Sequence, residues 1–187
     1  MTPRVRPIAE ADAPLLAQLH AASWRSAYRG LMSDAFLEHE VDAERQQAWA
    51  VKARMLSTGH FGFLATVDDD PAGFIFMSAA FDPSWGSMLD NLHVLEPFRS
   101  QGVGRVLIAV AMRELLARGY REPVWLWVFE RNDAARRVYQ RLGGREAERV
   151  VERAFDGADR AKWRVVWDSP DALLQACGGP QPGLGGG

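Results

Sequence analysis

The run Val124-Trp125-Leu126-Trp127-Val128-Phe129 contains no polar side chain. A strand with one face in water alternates apolar and polar positions, so an unbroken apolar run predicts a strand covered on both faces. Upstream, Val103 to Ala117 holds only Arg105, Arg113 and Glu114 as polar residues among fifteen, and such a helix must also be mostly covered. A chain with both features needs layers of secondary structure on either side of a sheet. Its length of 187 residues fits one such body.

The remaining segments supply those layers. Arg4 to Ile8 reads as a short strand, and Asp12 to Tyr28 as a helix with Leu15, Leu16, Leu19, Ala22 and Ala27 near helical spacing. A second helix is predicted over Ala43 to Ser57. Phe61 to Val67 and Gly73 to Ala80 read as two strands joined by the turn Asp68 to Ala72, and Leu89 to Leu95 as a strand stopped by Pro97. Gly119 closes the apolar helix. Asn132 is placed to cap a helix whose apolar face is Ala135, Val138, Tyr139 and Leu142, ended by Gly143-Gly144. Glu146 to Arg153 and Lys162 to Trp167 flank a turn at Asp156-Gly157. The sequence thus predicts one domain over residues 1–168 and a flexible Gly/Pro-rich tail over 169–187.

Composition narrows the classes of function. Hydrophobic residues make up 48% and charged residues 25%, which excludes a wholly disordered chain. A single cysteine, Cys177, excludes a disulfide framework, and His20, His39, His60 and His93 lie too scattered to suggest a metal site. No apolar run approaches the ~20 residues that span a bilayer, and the first residues lack a signal peptide's apolar core, so a soluble cytoplasmic protein is expected. The net charge of −2 argues against nucleic acid as a partner. That charge is unevenly placed: Met1 to Phe98 has seven basic and thirteen acidic residues, whereas Arg99 to Arg149 has eleven arginines and six acids.

The basic segment opens on Leu92-His93-Val94-Leu95-Glu96-Pro97-Phe98-Arg99-Ser100-Gln101-Gly102-Val103-Gly104-Arg105. A strand ends at a proline, and a loop with two glycines then starts the long helix. Glycine lets a ligand approach the backbone, and the first amides of a helix lack internal partners, so this turn is built like an anion site. It is not the dinucleotide fingerprint, because Leu107 stands where a last Gly or Ala is required.

The order Arg99-x-x-Gly102-x-Gly104, then strand, then Asn132-x-x-Ala135-x-x-x-Tyr139-x-x-x-Gly143 resembles the GNAT superfamily of acyl-CoA-dependent N-acyltransferases. The resemblance covers about Phe61 to Trp167. It implies a single α/β (α+β) domain with a mixed, mostly antiparallel sheet, splayed at the acetyl-CoA site and carrying helices on both faces. It further implies that the backbone of Leu92, His93 and Val94 pairs with the pantetheine arm of acetyl-CoA between the strands Leu89–Leu95 and Val124–Phe129. Arg99, Ser100, Gln101, Gly102, Val103, Gly104 and Arg105 would hold the pyrophosphate, and Asn132 the arm. Tyr139 matches the general acid that protonates the departing thiolate, and Val94 N–H is a candidate donor to the developing oxyanion. Trp24 and Tyr28 resemble the roof of the acceptor pocket, with the loop Phe81 to Ser87 as another wall.

The base departs from the family's best-known pattern. The glutamate that ribosomal-protein N-terminal acetyltransferases carry five residues before the asparagine is Trp127 here. Where serotonin-acetyltransferase-like members have a strand histidine, this chain has Asp90, the candidate base. His93 has the better ordinary pKa, but strict alternation puts it on the face opposite Asp90. The expected activity is acetyl transfer from acetyl-CoA to a small-molecule or peptide primary amine, with no membrane partner and a homodimer allowed. The acidic first half predicts an electronegative acceptor mouth. The alternatives are a non-catalytic CoA-binding or sensing module of the same fold, which Trp127 favours, and an unrelated nucleotide-binding domain.

Overall fold

The computed structural model describes residues 3–57 and 59–178. Seven strands form one sheet: β1 (Arg4–Pro7), β2 (His60–Val67), β3 (Asp70–Asp82), β4 (Gly86–Val94), β5 (Val124–Phe129), β6 (Arg145–Arg153) and β7 (Asp159–Trp167). Their order is β1-β2-β3-β4-β5-β7-β6, antiparallel except for β4 beside β5. On one face lie α1 (Ala13–Ala27) and α2 (Val41–Arg54); on the other lie α3 (Val103–Ala117), α4 (Asp133–Arg141) and α5 (Pro170–Gly178). This is the expected layered fold.

Each layer has its own core. Leu16, Ala17 and Leu19 of α1 and Trp49 of α2 pack on Leu64, Phe74 and Phe76. Val103, Leu107, Ile108, Ala111, Met112 and Leu115 of α3 pack on the alternate set, Ile75, Met77, Leu89, Leu126 and Val128. Strand alternation decides which residue serves which core. The turn at Asp68 and Asp69 places both residues at positive φ, 51° and 70°, a conformation Asp tolerates better than most side chains.

Two elements differ from expectation. Residues 170–178, given to the tail by their composition, form α5, and its Leu173 is wholly buried against the α3 core. Pro170 opens that helix in the place where proline costs nothing, since the first amides have no partner. The cover it provides explains why α3 is apolar nearly all round. Residues 179–187 lie outside the described residues. Before α2, Phe36–Glu40 form a π-helical turn that buries Phe36 and Leu37 against Trp24, in a stretch to which the sequence assigned no element. No helix among the described residues is long and apolar enough to cross a membrane.

Candidate active site

β4 and β5 are hydrogen-bonded only at Ser87–Val124 and Met88–Trp125. Beyond that pair the strands part, so the β4 edge from Leu89 to Val94 has no strand partner towards β5. Leu95 gives its N–H to the Ala72 carbonyl of β3 at 2.9 Å. Successive amides of a strand point to opposite edges, so those of Val94 and Leu92 open into the splay and that of His93 goes to β3. The sequence-predicted Leu92 and Val94 thus present backbone to the gap, whereas His93 faces elsewhere.

At the far end of the gap the chain makes a tight turn into α3. Ser100 has φ 63° and Gly102 φ 82°, and the first intrahelical bond runs from Val106 N–H to the Gly102 carbonyl at 3.0 Å. The amides of Val103, Gly104 and Arg105 therefore have no intrahelical partner and face the turn with the positive end of the helix dipole. A Cβ on Gly102 would meet nothing within 4 Å, and one on Gly104 would make only an ordinary 3.6 Å contact with Val94. Packing within the protein therefore does not require glycine at 104. Two side chains of this loop are turned inward. Arg99 donates to the Val94 carbonyl (3.2 Å) and to Ser26 Oγ of α1 (2.6 Å), and Gln101 donates to the Pro97 carbonyl (2.7 Å). They shape the loop rather than line it.

Asn132 caps α4, its Oδ1 accepting the Ala135 N–H at 3.2 Å, which fixes the side chain at the start of the helix. About two turns further on, Tyr139 sets its ring edge-on to Trp167, 5.9 Å between centroids. Tyr28 approaches from the other face of the sheet, edge-on to Phe129 at 5.3 Å. Burial pushes the Tyr28 phenol up to about 12, against the pull of Arg45. Burial raises Tyr139 still more, and the nearby Tyr28 adds to it. Both phenols therefore stay protonated at neutral pH.

Asp90 and His93 do not lie on opposite faces. Phe76 pairs with Asn91 and Met77 with Leu89, which leaves Asp90 as the extra residue of a β-bulge. The bulge shifts the strand's alternation by one, and both Asp90 and His93 turn toward α1 and α2. Asp90 forms an ion pair with Lys52 of α2. His93 stacks on His20 (4.1 Å) and Phe74 (5.3 Å), with its Nδ1 3.0 Å from Ser23 Oγ. His20 accepts the Trp49 indole N–H at Nδ1, 3.1 Å away.

Burial, and then the charges of Arg45, Arg99 and Lys52, lower His93 to about 3. The imidazole is therefore neutral when folded, while the unfolded ring titrates near 6.5. Between those values the unfolded chain binds the proton and the folded one does not, so stability is full above 6.5 and is lost as pH falls toward 3. At pH 5 that loss is about 2 kcal/mol for this one group. Thermal unfolding should show Tm falling through this range, with a shallower slope in His93→Gln; an unchanged slope would remove His93 as the cause.

A cleft of about 620 Å³ lies at the end of β5, between the loop 30–34 and the β6–β7 turn. Asp156, its side chain 2% exposed, ties the two rims by accepting the Ser33 N–H at 2.7 Å and pairing with Arg160, which also donates to the Leu31 carbonyl. Ion pairs offset part of the negative charge that the sequence led one to expect of an acceptor mouth. In the cleft the acids Asp34, Glu130, Asp156 and Asp159 each have an arginine partner, and Arg131 has no ion-pair partner among the described residues. Charge counted along the chain says nothing of how ion pairs cancel in space. Trp24 is buried beside Tyr28, Phe36 and Phe155 with the Arg45 guanidinium 4.1 Å over its ring, so it lies behind the rim more than in it. The loop Phe81 to Ser87 lies at the closed end of the β4–β5 pair, away from this cleft. Arg45, Lys52 and Ser23 escaped the sequence reading because each is an unremarkable helix residue until the fold gathers them round His93.

The comparisons with known proteins agree with this architecture. A model described as the Acetyltransferase (GNAT) family matches residues 17–144. The chain is 30% identical over 147 residues to the uncharacterized N-acetyltransferase YuaI of Bacillus subtilis, across 75% of this chain and 78% of that one. It is 32% identical over 132 residues to an uncharacterized N-acetyltransferase of Methanocaldococcus jannaschii, of which it spans 54%. Among solved structures, the PaiA N-acetyltransferase of Thermoplasma acidophilum in complex with coenzyme A superposes with a TM-score of 0.68 at 19% identity, over 87% of this chain and 98% of that one. A GCN5-related N-acetyltransferase of Rhodopseudomonas palustris gives 0.64 at 21% identity, over 90% and 96%. With its splayed strands, its glycine turn and its match to that family model across two elements of the site, the chain belongs to the acetyltransferase (GNAT) family.

Proposed function

We propose that the protein transfers the acetyl group of acetyl-CoA to a primary amine by direct attack in a ternary complex. The observation that carries this reading is the unpaired β4 edge with the glycine turn at one end; Tyr139 of α4 packs against the core on the α3 face of the sheet. Leu92 and Val94 pair with the pantetheine arm as a neighbouring strand would, and the amides from Ser100 to Arg105 hold the pyrophosphate. Val94 N–H donates to the oxyanion that develops at the thioester carbonyl. As the C–S bond breaks, Tyr139 gives its proton to sulfur. A phenol near 10 and a thiol near 8.5 differ by about 1.5 units, so the transfer costs only ~2 kcal/mol when one dry site raises both.

The incoming ammonium must first lose a proton, which at pH 7 costs about 3.4 units, or ~4.6 kcal/mol. His93 is too weak a base to keep it. Asp90, held by Lys52 on the same face, is the candidate acceptor, reached through water. Asp90→Asn should then depress thiol release about 10-fold near pH 7 and recover toward the amine's own pKa. A profile parallel to wild type would make Asp90 structural and leave water as the relay.

The reading is tested by thermal shift with acetyl-CoA, CoA and ATP, followed by thiol release across an amine panel. A ligand at 100 times its Kd adds about 2.7 kcal/mol, which is readily seen. Stabilisation by CoA with no turnover of any amine would favour the non-catalytic module, and equal stabilisation by ATP an unrelated nucleotide site.

A further inference from the structure

The β6–β7 hairpin reaches back to the loop after α1 and bonds its backbone twice. Asp156 Oδ2 accepts the Ser33 N–H at 2.7 Å, and Arg160 Nε donates to the Leu31 carbonyl. The two side chains are locked to each other. Arg160 Nη2 donates to Asp156 Oδ2 at 2.7 Å, Nη1 pairs with Oδ1, and the Ala158 N–H adds a 3.4 Å bond to Oδ1. Burial alone would raise the Asp156 carboxyl, but Arg160 and the amides of Ser33 and Ala158 hold it below its ordinary value, so it stays ionised. The hairpin that carries the pair is closed by the Ala154 N–H on the Ala158 carbonyl at 2.8 Å.

This clamp is part of the wall of the 620 Å³ cleft, since Leu31, Ser33, Asp156 and Arg160 all line it. Sites for small ligands usually measure about 300–1,000 Å³, so the volume suits one. The cleft opens where Phe129 ends β5, and at that end β4 and β5 have already parted. Phe129 packs on Tyr28 at the α1 side of the sheet, whereas the glycine turn starts α3 at the other side. Toward α1 the loop 30–34 is held by the Leu31 and Met32 amides on the Tyr28 carbonyl, at 2.8 and 2.9 Å. Toward the hairpin it is held by the clamp.

We propose that Asp156 and Arg160 are positioning residues of the acceptor site: they hold the loop 30–34 against an amine seated in this cleft, and so set acceptor affinity without touching the coenzyme. The inference rests on the acetyltransferase reading above and names the residues that shape its acceptor side. Amine and coenzyme then come to the splay from opposite faces of the sheet. A wall misplaced by about 1 Å costs as much as about 10²-fold in rate, so a rigid tie has a large lever. The same set of bonds recurs far from the cleft. Asp12 accepts Arg6 Nη1 and Nη2 at 2.7 Å each and the Ala9 N–H at 2.8 Å, beside β1 at the remote edge of the sheet. It serves as a matched control.

The test measures acetyl transfer from acetyl-CoA to glycinamide, phenethylamine and cadaverine, with acetyl-CoA affinity read by calorimetry. Asp156→Ala should raise the KM of every amine turned over by about 10-fold, while kcat at saturating amine and the Kd of acetyl-CoA stay within about two-fold. Asp12→Ala should lower Tm and move none of these constants. Arg160→Lys keeps the charge but loses the fork, and should raise the same KM several-fold. It decides the matter should Asp156→Ala fail to fold. An amine KM unchanged in both clamp variants, or raised equally by Asp12→Ala, makes the clamp a plain structural tie and overturns the proposal. A weakened acetyl-CoA Kd in the clamp variants overturns it as well. No turnover of any of these amines by the wild type fails the transferase reading, and this proposal with it.

Discussion

Tyr139→Phe should lower kcat by about 10²-fold while acetyl-CoA binding, followed by thermal shift, stays within a few-fold of wild type. The ring sits edge-on to Trp167 and packs against the α3 core, contacts that phenylalanine keeps. Only the hydroxyl is lost, and with it the proton offered to sulfur. Because burial raises this phenol, it remains protonated throughout the usual assay range. The loss should therefore be uniform in pH, in contrast to the alkaline recovery expected of Asp90→Asn. Single-turnover thiol release, with the chemical step shown to limit the rate, measures it. Full kcat in that variant would place the acid elsewhere.

Gly104→Val should weaken acetyl-CoA binding by about 10²-fold or more and leave the fold nearly as stable as before. A β carbon at this position meets Val94 at an ordinary 3.6 Å, and a β-branched residue near a helix start costs only a few tenths of a kcal/mol. What the branch fills is the space next to the helix amides, where an approaching phosphate needs bare backbone. The same methyl groups would be harmless if nothing bound there. Titration by calorimetry, together with Tm of the free protein, separates the two. A variant that binds as well as wild type would remove the turn from the cofactor site.

The sequence carried α3 and β5 to the residue, because an unbroken apolar run leaves few choices. It also carried the glycine turn, since the positive φ at Gly102 selects glycine. The bulge at Asp90 had no local mark. Nothing in Leu89-Asp90-Asn91 distinguishes an extra residue from a regular pair, so alternation placed His93 on the wrong face. The α5 helix was masked by the Gly/Pro composition that follows it, although the excess of apolar residues on α3 already called for a second cover. Asp156 read only as a turn residue for a different reason: Ser33 and Leu31, which it and Arg160 hold, come from the other end of the chain, and only the fold brings the two segments together.

The tie between Ser33 and Asp156 joins residues 123 positions apart, and that between Leu31 and Arg160 joins residues 129 apart. Closing a loop of that length costs about 4 kcal/mol of chain entropy before any contact repays it, whereas the β2–β3 and β3–β4 hairpins close locally. During folding, the rim over this cleft is therefore set after the sheet on either side of it. The same order runs in reverse when the native protein fluctuates: the rim has few bonds to lose, and the β4 edge, α3 and the glycine turn are untouched by its loss. Hydrogen exchange should find the Ser33 amide opening at far lower free energy than those of β3. On that clock the rim at residues 30–34 breathes while the β4 edge and the glycine turn hold still, so one end of the splay is renewed many times before the other opens once.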